Sequence, residues 1–127
     1  MKKEETRIKE IEESINQKKQ ELDNLTRLVS IKQSEIKSLY DEIAYQYSSM
    51  EKYSSLIGKK VRISWIECNK TRSIDGYFKG FQFFNDHYYK DVYPKLAKIK
   101  KDGSMSMVDY SSYDLPSAKI IVSIEQI

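Results

Sequence analysis

The chain has 127 residues and carries 22 Lys or Arg against 19 Asp or Glu, a formal net charge of +3. This fits one domain, or one small domain with an extended element, and excludes a large multidomain enzyme. With 39% hydrophobic residues but only four Gly, two Pro and one Cys, it is too apolar for full disorder, too poor in Gly and Pro for low complexity, and without an internal disulfide framework or cysteine-built metal cluster.

Residues 1–57 contain no Gly and no Pro, whereas residues 58–127 hold every Gly, both Pro, the only Trp and all four Phe. Gly and Pro cost most in a helix interior, so the first part reads as one uninterrupted helix and the second as short strands joined by turns. The expected fold is α+β, with a coiled-coil oligomerisation helix over 1–57 and a small all-β domain over 58–127. The opening Met1-Lys2-Lys3-Glu4-Glu5 runs into charge rather than an apolar signal segment, and no stretch approaches the ~18 apolar residues that cross a bilayer. The expectation is a cytoplasmic chain with no membrane partner; a nuclear location fits the same features.

A seven-residue repeat runs through the helical part. Ile8, Ile15, Leu22, Val29, Ile36, Ile43, Met50 and Ile57 are spaced seven apart and occupy the a positions. The d positions are Ile11, Lys18, Leu25, Lys32, Leu39, Gln46 and Tyr53. A stripe repeating every 3.5 residues on a helix of 3.6 residues per turn faces a partner only if the helices supercoil. Roughly 50 residues of helix extend about 75 Å, too long for a domain of 58–127 to cover. A second copy is therefore the expected partner. β-branched residues at a, with Leu25 and Leu39 at d, favour a parallel dimer. Lys18, Lys32 and Gln46 fall fourteen apart, so polar layers alternate with apolar ones and penalise wrong registers, while each Lys lays its methylenes on the seam with its amine in water. The dimerisation set is Ile8, Ile11, Ile15, Leu22, Leu25, Val29, Ile36, Leu39, Ile43, Met50 and Ile57. Leu28 and Ile31 widen the stripe, and Tyr40, Tyr45 and Tyr47 form an aromatic section that suits the second domain, a partner groove or the coil surface equally. The helix is expected to end at Gly58, a residue suited to a left-handed cap.

Beyond Gly58, Val61, Ile63 and Trp65 alternate in a first strand, followed by an exposed connection over 69–73. In a second strand, Tyr77, Phe81 and Phe83 share one face and Phe78, Gly80 and Phe84 the other. Residues 85–94 read as a polar, aromatic loop with Pro94 at the next strand's entrance. Lys101-Asp102-Gly103-Ser104 marks a hairpin between Leu96 and Val108. Ala118, Ile120, Val122 and Ile124 alternate in a last strand. So many short strands in so few residues predict a curled antiparallel β-barrel of SH3-like, Sm-like or OB-like type.

The sequence offers little for catalysis. His87 is the only histidine; with Asp86, Asp91 and Cys68 it makes the one arrangement able to ligate zinc or activate a thiol. A single His beside Asp in an aromatic loop is more often a surface or hydrogen-bonding group, and phosphate-binding, dinucleotide and metalloprotease signatures are absent. No catalytic residue, metal or cofactor is assigned. Binding is better supported. The helical part has 10 basic and 11 acidic residues, which leaves 12 and 8, or +4, for 58–127. Lys59, Lys60, Arg62, Lys70, Arg72, Lys95, Lys98, Lys100 and Lys101, with Tyr88, Tyr89 and Tyr93, form the expected partner surface. The leading expectation is a non-enzymatic homodimeric adaptor, inhibitor or assembly factor that displays two β-domains to a protein. The alternative is nucleic-acid binding through the same basic and aromatic residues.

Overall fold

A computed structural model describes residues 2–86 and 90–127. A helix, α1, spans Lys2–Ser49, and a short helix, α2, spans Glu51–Ser54. Five strands follow: β1 (Lys60–Glu67), β2 (Lys70–Asn85), β3 (Lys90–Ile99), β4 (Met105–Asp109) and β5 (Ile121–Gln126), with 3-10 turns at Ser112–Asp114 and Ala118–Ile120 between the last two. The fold is α+β. The chain divides into two compact units after Lys37.

In the first unit, residues 2–37 are helical and exposed throughout. The Thr6 and Thr26 hydroxyls donate to the carbonyls of Lys2 and Leu22, 2.8 and 2.9 Å away. Arg7 pairs with Glu10 at 3.4 Å and Lys32 with Glu35 at 3.2 Å; such exposed pairs contribute only a few tenths of a kcal/mol, ~0.2–0.5.

The second unit begins with the last turns of α1. Tyr40, Ala44 and Tyr47, spaced four and three apart, fall on one helix face and pack on the sheet. Tyr40 stacks on Phe83 with centroids 4.5 Å apart and planes 7° from parallel, and Tyr47 meets Phe81 at 5.3 Å. The helix does not run to Gly58. Met50 turns to an extended conformation (φ −58°, ψ 135°), which redirects the chain so that Tyr53 is buried against Phe78 and Phe81. Ser48 sits at this corner, where its hydroxyl donates to the Ala44 carbonyl and accepts from the Phe81 N–H, both at 2.9 Å.

The sheet is antiparallel in the order β4-β3-β2-β1-β5. It is open, with β4 and β5 as its edges, so the closed barrel expected from strand number is not formed among the described residues. Its core comprises Val61, Ile63, Phe78, Val92, Pro94 and Leu96, all fully buried, with Trp65, Leu115, Ala118 and Ile124 around them.

Several local expectations shift for identifiable reasons. The connection expected over 69–73 is only Cys68-Asn69; both have positive φ (51° and 61°), as a two-residue hairpin turn demands, and β2 starts at Lys70. The face assignment in β2 fails because the β2–β3 register shifts between Phe78 and Phe81. An inserted bulge lets Phe78 and Phe81 both face the core despite their odd spacing. Gly80 occupies the bulge at φ +97°, and a Cβ there would lie 3.1 Å from the Ser48 hydroxyl. Pro94 lies inside β3, opposite Phe81, where the bulge tolerates a residue without an N–H. Of the loop expected over 85–94, Asn85 belongs to β2 and 90–94 to β3. The Asp102-Gly103 hairpin is present, with Lys100 N–H donating to the Ser104 carbonyl at 2.8 Å. In the last segment Ile120 belongs to the 3-10 turn, and β5 is bulged at Val122, since Ser64 and Trp65 of β1 pair with Ser123 and Ile121; Ile120 and Val122 are exposed, while Ile124, opposite Ile63, is buried.

Candidate functional site

The helix carries uncovered apolar side chains in each of the two units. In residues 2–37, Ile8, Ile11, Ile15, Leu22, Leu25, Val29 and Ile36 are all 44–62% exposed. The Lys32 amine reaches Glu35, the flanking g residue, which draws the charge aside from the d position. In residues 38–127, Leu39, Ile43 and Met50 are also exposed. They line a groove of about 510 Å³ with Glu42, Gln46 and Tyr47. In heptad terms these six residues are d, g, a, d, e and a, the positions that form successive holes for the knobs of a facing helix. Each residue advances a helix by ~100°, so the Leu39-Ile43-Gln46 line lies about that far round from the Tyr40-Ala44-Tyr47 line that holds the sheet. The sheet thus occupies the flank and leaves the seam open. Ile57 lies beyond α1, in the turn before β1, so helical periodicity does not carry the seam to it.

The basic residues fall into separate places. Arg62 and Asp75, directly opposed on β1 and β2, form a two-pronged pair at 2.8 and 3.0 Å, with Glu125 opposed on the other side. The Arg62 hydrogen bond holds the Asp75 carboxyl below its ordinary range, and the same bond raises Arg62. Arg72 pairs with Glu67 at 3.4 Å, beside the Cys68-Asn69 turn that also precedes Lys70. Lys60 lies over the Tyr77 ring, and a Cβ at Gly103 would be 3.7 Å from its amine, so it joins Lys100 and Lys101 at the β3–β4 turn. Lys98 lies over the Tyr110 ring. Lys59 is exposed and Lys95 half-buried. Tyr88, Tyr89 and His87 lie outside the described residues.

Tyr93 is elsewhere, seven residues along β3 from Lys100, a strand distance of roughly 23 Å. It shares a sheet face with Phe84 and Asp91. Phe84 meets Tyr93 and Tyr113 at 5.6 and 5.2 Å, perpendicular to each within a few degrees (85° and 83°). With Ser112 and Leu115 these rings line a pocket of about 190 Å³. The Tyr113 hydroxyl donates to Asp86. Asp91 accepts from the Ser117 hydroxyl and the Val92 N–H, both at 2.8 Å, with the Lys119 amine 3.9 Å away. Among the described residues, no three His, Cys, Asp or Glu side chains are placed to hold a metal ion. Cys68, exposed, and Asp86 lie at opposite ends of β2, and Asp91 pairs with Phe84 near the Asp86 end, so the thiol expected to approach Asp86 and Asp91 is a strand's length from them.

Phe84, Tyr113 and Leu115 did not stand out in the sequence as surface residues. The local signal was Ser111-Ser112-Tyr113: Ser111 caps the 3-10 turn by accepting from the Tyr113 N–H at 3.3 Å, which fixes the tyrosine on the surface. Comparison with protein-family models, curated proteins and solved structures returns no match to this chain. No described helix is long and apolar enough to cross a membrane.

Proposed function

We propose that the protein is a non-enzymatic homodimeric interaction module in which α1 pairs in parallel with a second copy and two β-units are displayed to a protein partner. The observation that carries this reading is the exposed a/d stripe. Ten seam residues from Ile8 to Met50 are each at least 40% exposed in the single chain, whereas monomers seldom leave a contiguous apolar surface of this kind uncovered. A second copy is the natural cover, because the groove at Leu39, Ile43 and Met50 has the lining that a coiled-coil knob requires. β-branched a residues and Leu at d favour two parallel strands. Two copies of a modest binding surface gain avidity through effective concentration, which suits an adaptor, inhibitor or assembly factor.

Nucleic-acid binding has weaker support. Lys60, Lys100 and Lys101 gather at one turn, but Arg62 and Arg72 are engaged by carboxylates and Tyr93 lies beside Asp91 rather than beside those lysines. Sedimentation equilibrium on the full chain tests the main reading, combined with disulfide trapping of a cysteine introduced near the N-terminus in a Cys68→Ser background. The expected result is twice the 15.0 kDa chain mass with efficient N-terminal crosslinking. A monomer at micromolar concentration refutes the dimer, and a dimer whose N-termini do not crosslink refutes the parallel arrangement.

A further inference from the structure

The β5 edge of the sheet is built to accept another strand. We propose that it takes an extended segment of a partner protein, with a lysine or arginine of that segment opposite Glu125 and an apolar residue on either side of the cation. The Ile127 N–H donates to the Lys60 carbonyl at 3.0 Å, which makes these two a hydrogen-bonded pair in register with the β1–β5 ladder. Bonded and non-bonded pairs alternate in an antiparallel ladder. Arg62–Glu125 and Ser64–Ser123 are therefore bonded, whereas Val61–Gln126 and Ile63–Ile124 are not. The N–H and C=O groups of Ile124 and Gln126 point away from β1, and none of the described residues bonds to them. An unpaired row of this kind is a template for strand addition. The opposite edge is blunted. There the five residues of β4 stand against only Ala97–Ile99 of β3, and the Ser106 hydroxyl takes up the Val108 N–H at 3.0 Å.

The side chains along the edge select what that segment carries. On the outer face the row Asp75–Arg62–Glu125 crosses β2, β1 and β5. Arg62 commits its fork to Asp75, so the row ends at the edge on the exposed Glu125 carboxylate. Directly opposed residues share a face, where an opposite charge stabilises the pair and a like charge destabilises it. A cation opposite Glu125 continues the alternation of sign. On the other face the row Ile74–Ile63–Ile124 ends on Ile124, and an apolar neighbour extends it. Val122 and Ile127, 64% and 49% exposed, add apolar surface towards the two ends of the edge. A second copy supplies no such cation: β5 reads IVSIEQ and β4 reads MSMVD, neither with a basic residue. The proposal rests on the reading of the β-unit as an element that binds protein, and not on coil pairing.

The test is amide NMR of the isotopically labelled full chain, titrated with three peptides. The first is acetyl-Ser-Thr-Val-Lys-Val-Thr-Ser-amide, the second has Glu in place of Lys, and the third is the first with both valine nitrogens methylated. The expected result for the lysine peptide is shifts centred on β5, slowed hydrogen exchange at Ile124 and Gln126, and a Kd on the order of 1 mM for so short a contact. The glutamate peptide should bind about threefold more weakly or worse, as a like charge directly opposite Glu125 requires. Methylation removes the donors that face Ile124 and Gln126 and should abolish binding. Glu125→Lys should invert the preference between the first two peptides. Equal binding of those two, binding that survives methylation, or no shift at β5 overturns the proposal. So do shifts at Ile124 and Gln126 that follow the concentration of the protein alone, which would assign the edge to a second copy. The peptide comparison on unaltered protein stands even if the variant misfolds. Sedimentation of the same samples keeps the two readings apart: peptide binding by a monomer refutes the dimer alone, and an inert edge on a dimer refutes strand addition alone.

Discussion

Placing Asp at both Ile36 and Ile43 should dissociate the proposed dimer while leaving the sheet intact. The two isoleucines are 44% and 43% exposed in the single chain. Fully burying an isoleucine side chain contributes ~1.5–3 kcal/mol, so covering the exposed two-fifths contributes about 0.6–1.3 kcal/mol for each. Four such residues meet across a dimer, two from each chain, giving about 2.5–5 kcal/mol in all. Losing that contribution raises the dimer Kd roughly a hundredfold to a few thousandfold, and burying unpaired carboxylates adds to the loss. Sedimentation equilibrium over a concentration series reads the Kd, and the near-ultraviolet signal of Trp65, which is 8% exposed in the core, reads the sheet. A Kd that moves less than about tenfold, a difference of 1.4 kcal/mol, would refute the seam. Loss of the Trp65 signal in the monomer would show instead that these isoleucines support the intrachain core.

Ser48→Ala removes both the acceptor for the Phe81 N–H and the donor to Ala44. Leaving that amide unpaired in a half-buried corner should cost about 1–3 kcal/mol, seen as a lower urea midpoint with little change in slope; an unchanged midpoint would mean that water replaces the serine. Acid stability should depend on Asp75 and Asp102, whose carboxyls are held low by hydrogen bonds from Arg62 and from Ser104, respectively. A carboxylate whose folded pKa is depressed contributes stability above its unfolded pKa, near ~3.9, and that contribution disappears as pH falls through the lower folded pKa. Urea melts of Asp75→Asn and Asp102→Asn should therefore lose stability at pH 7 and lose less than the parent between pH 4 and 2, and parallel pH profiles would count against the assignment.

Features encoded within a few neighbouring residues were legible before the structure. The long helix follows from a stretch without Gly or Pro, and the β3–β4 hairpin from Asp102-Gly103. Features set by distant partners were not legible. Nothing near Tyr40 or Tyr47 announces Phe83 and Phe81 as their contacts. The bulge at Gly80 is decided by the fit of β2 against β3 and by Ser48, and it reverses the face of every later β2 side chain. The same limit hid the aromatic pocket, since Tyr113 reaches Phe84 only after β3 and β4 have intervened. Even the end of α1 was misjudged for this reason. Gly58 suits a cap, but burial of Tyr53 against Phe78 and Phe81 requires the chain to turn at Met50.

That turn bears on how one helix serves two surfaces. A heptad stripe and a domain-packing stripe compete if they share a face, because a side chain buried against the sheet cannot also fill a partner's hole. Here they are one residue out of phase: Tyr40, Ala44 and Tyr47 go to the sheet while Leu39, Ile43 and Gln46 remain outward. One residue is ~100° of rotation, wide enough for both neighbours because an apolar stripe on a surface helix itself covers about that arc. Tyr47 stands at the border, packed on Phe81 yet lining the groove at Ile43. A partner helix seated there would rest partly on a ring already fixed by the sheet. Occupancy of that groove would then be felt by Phe81 through the Tyr47 ring.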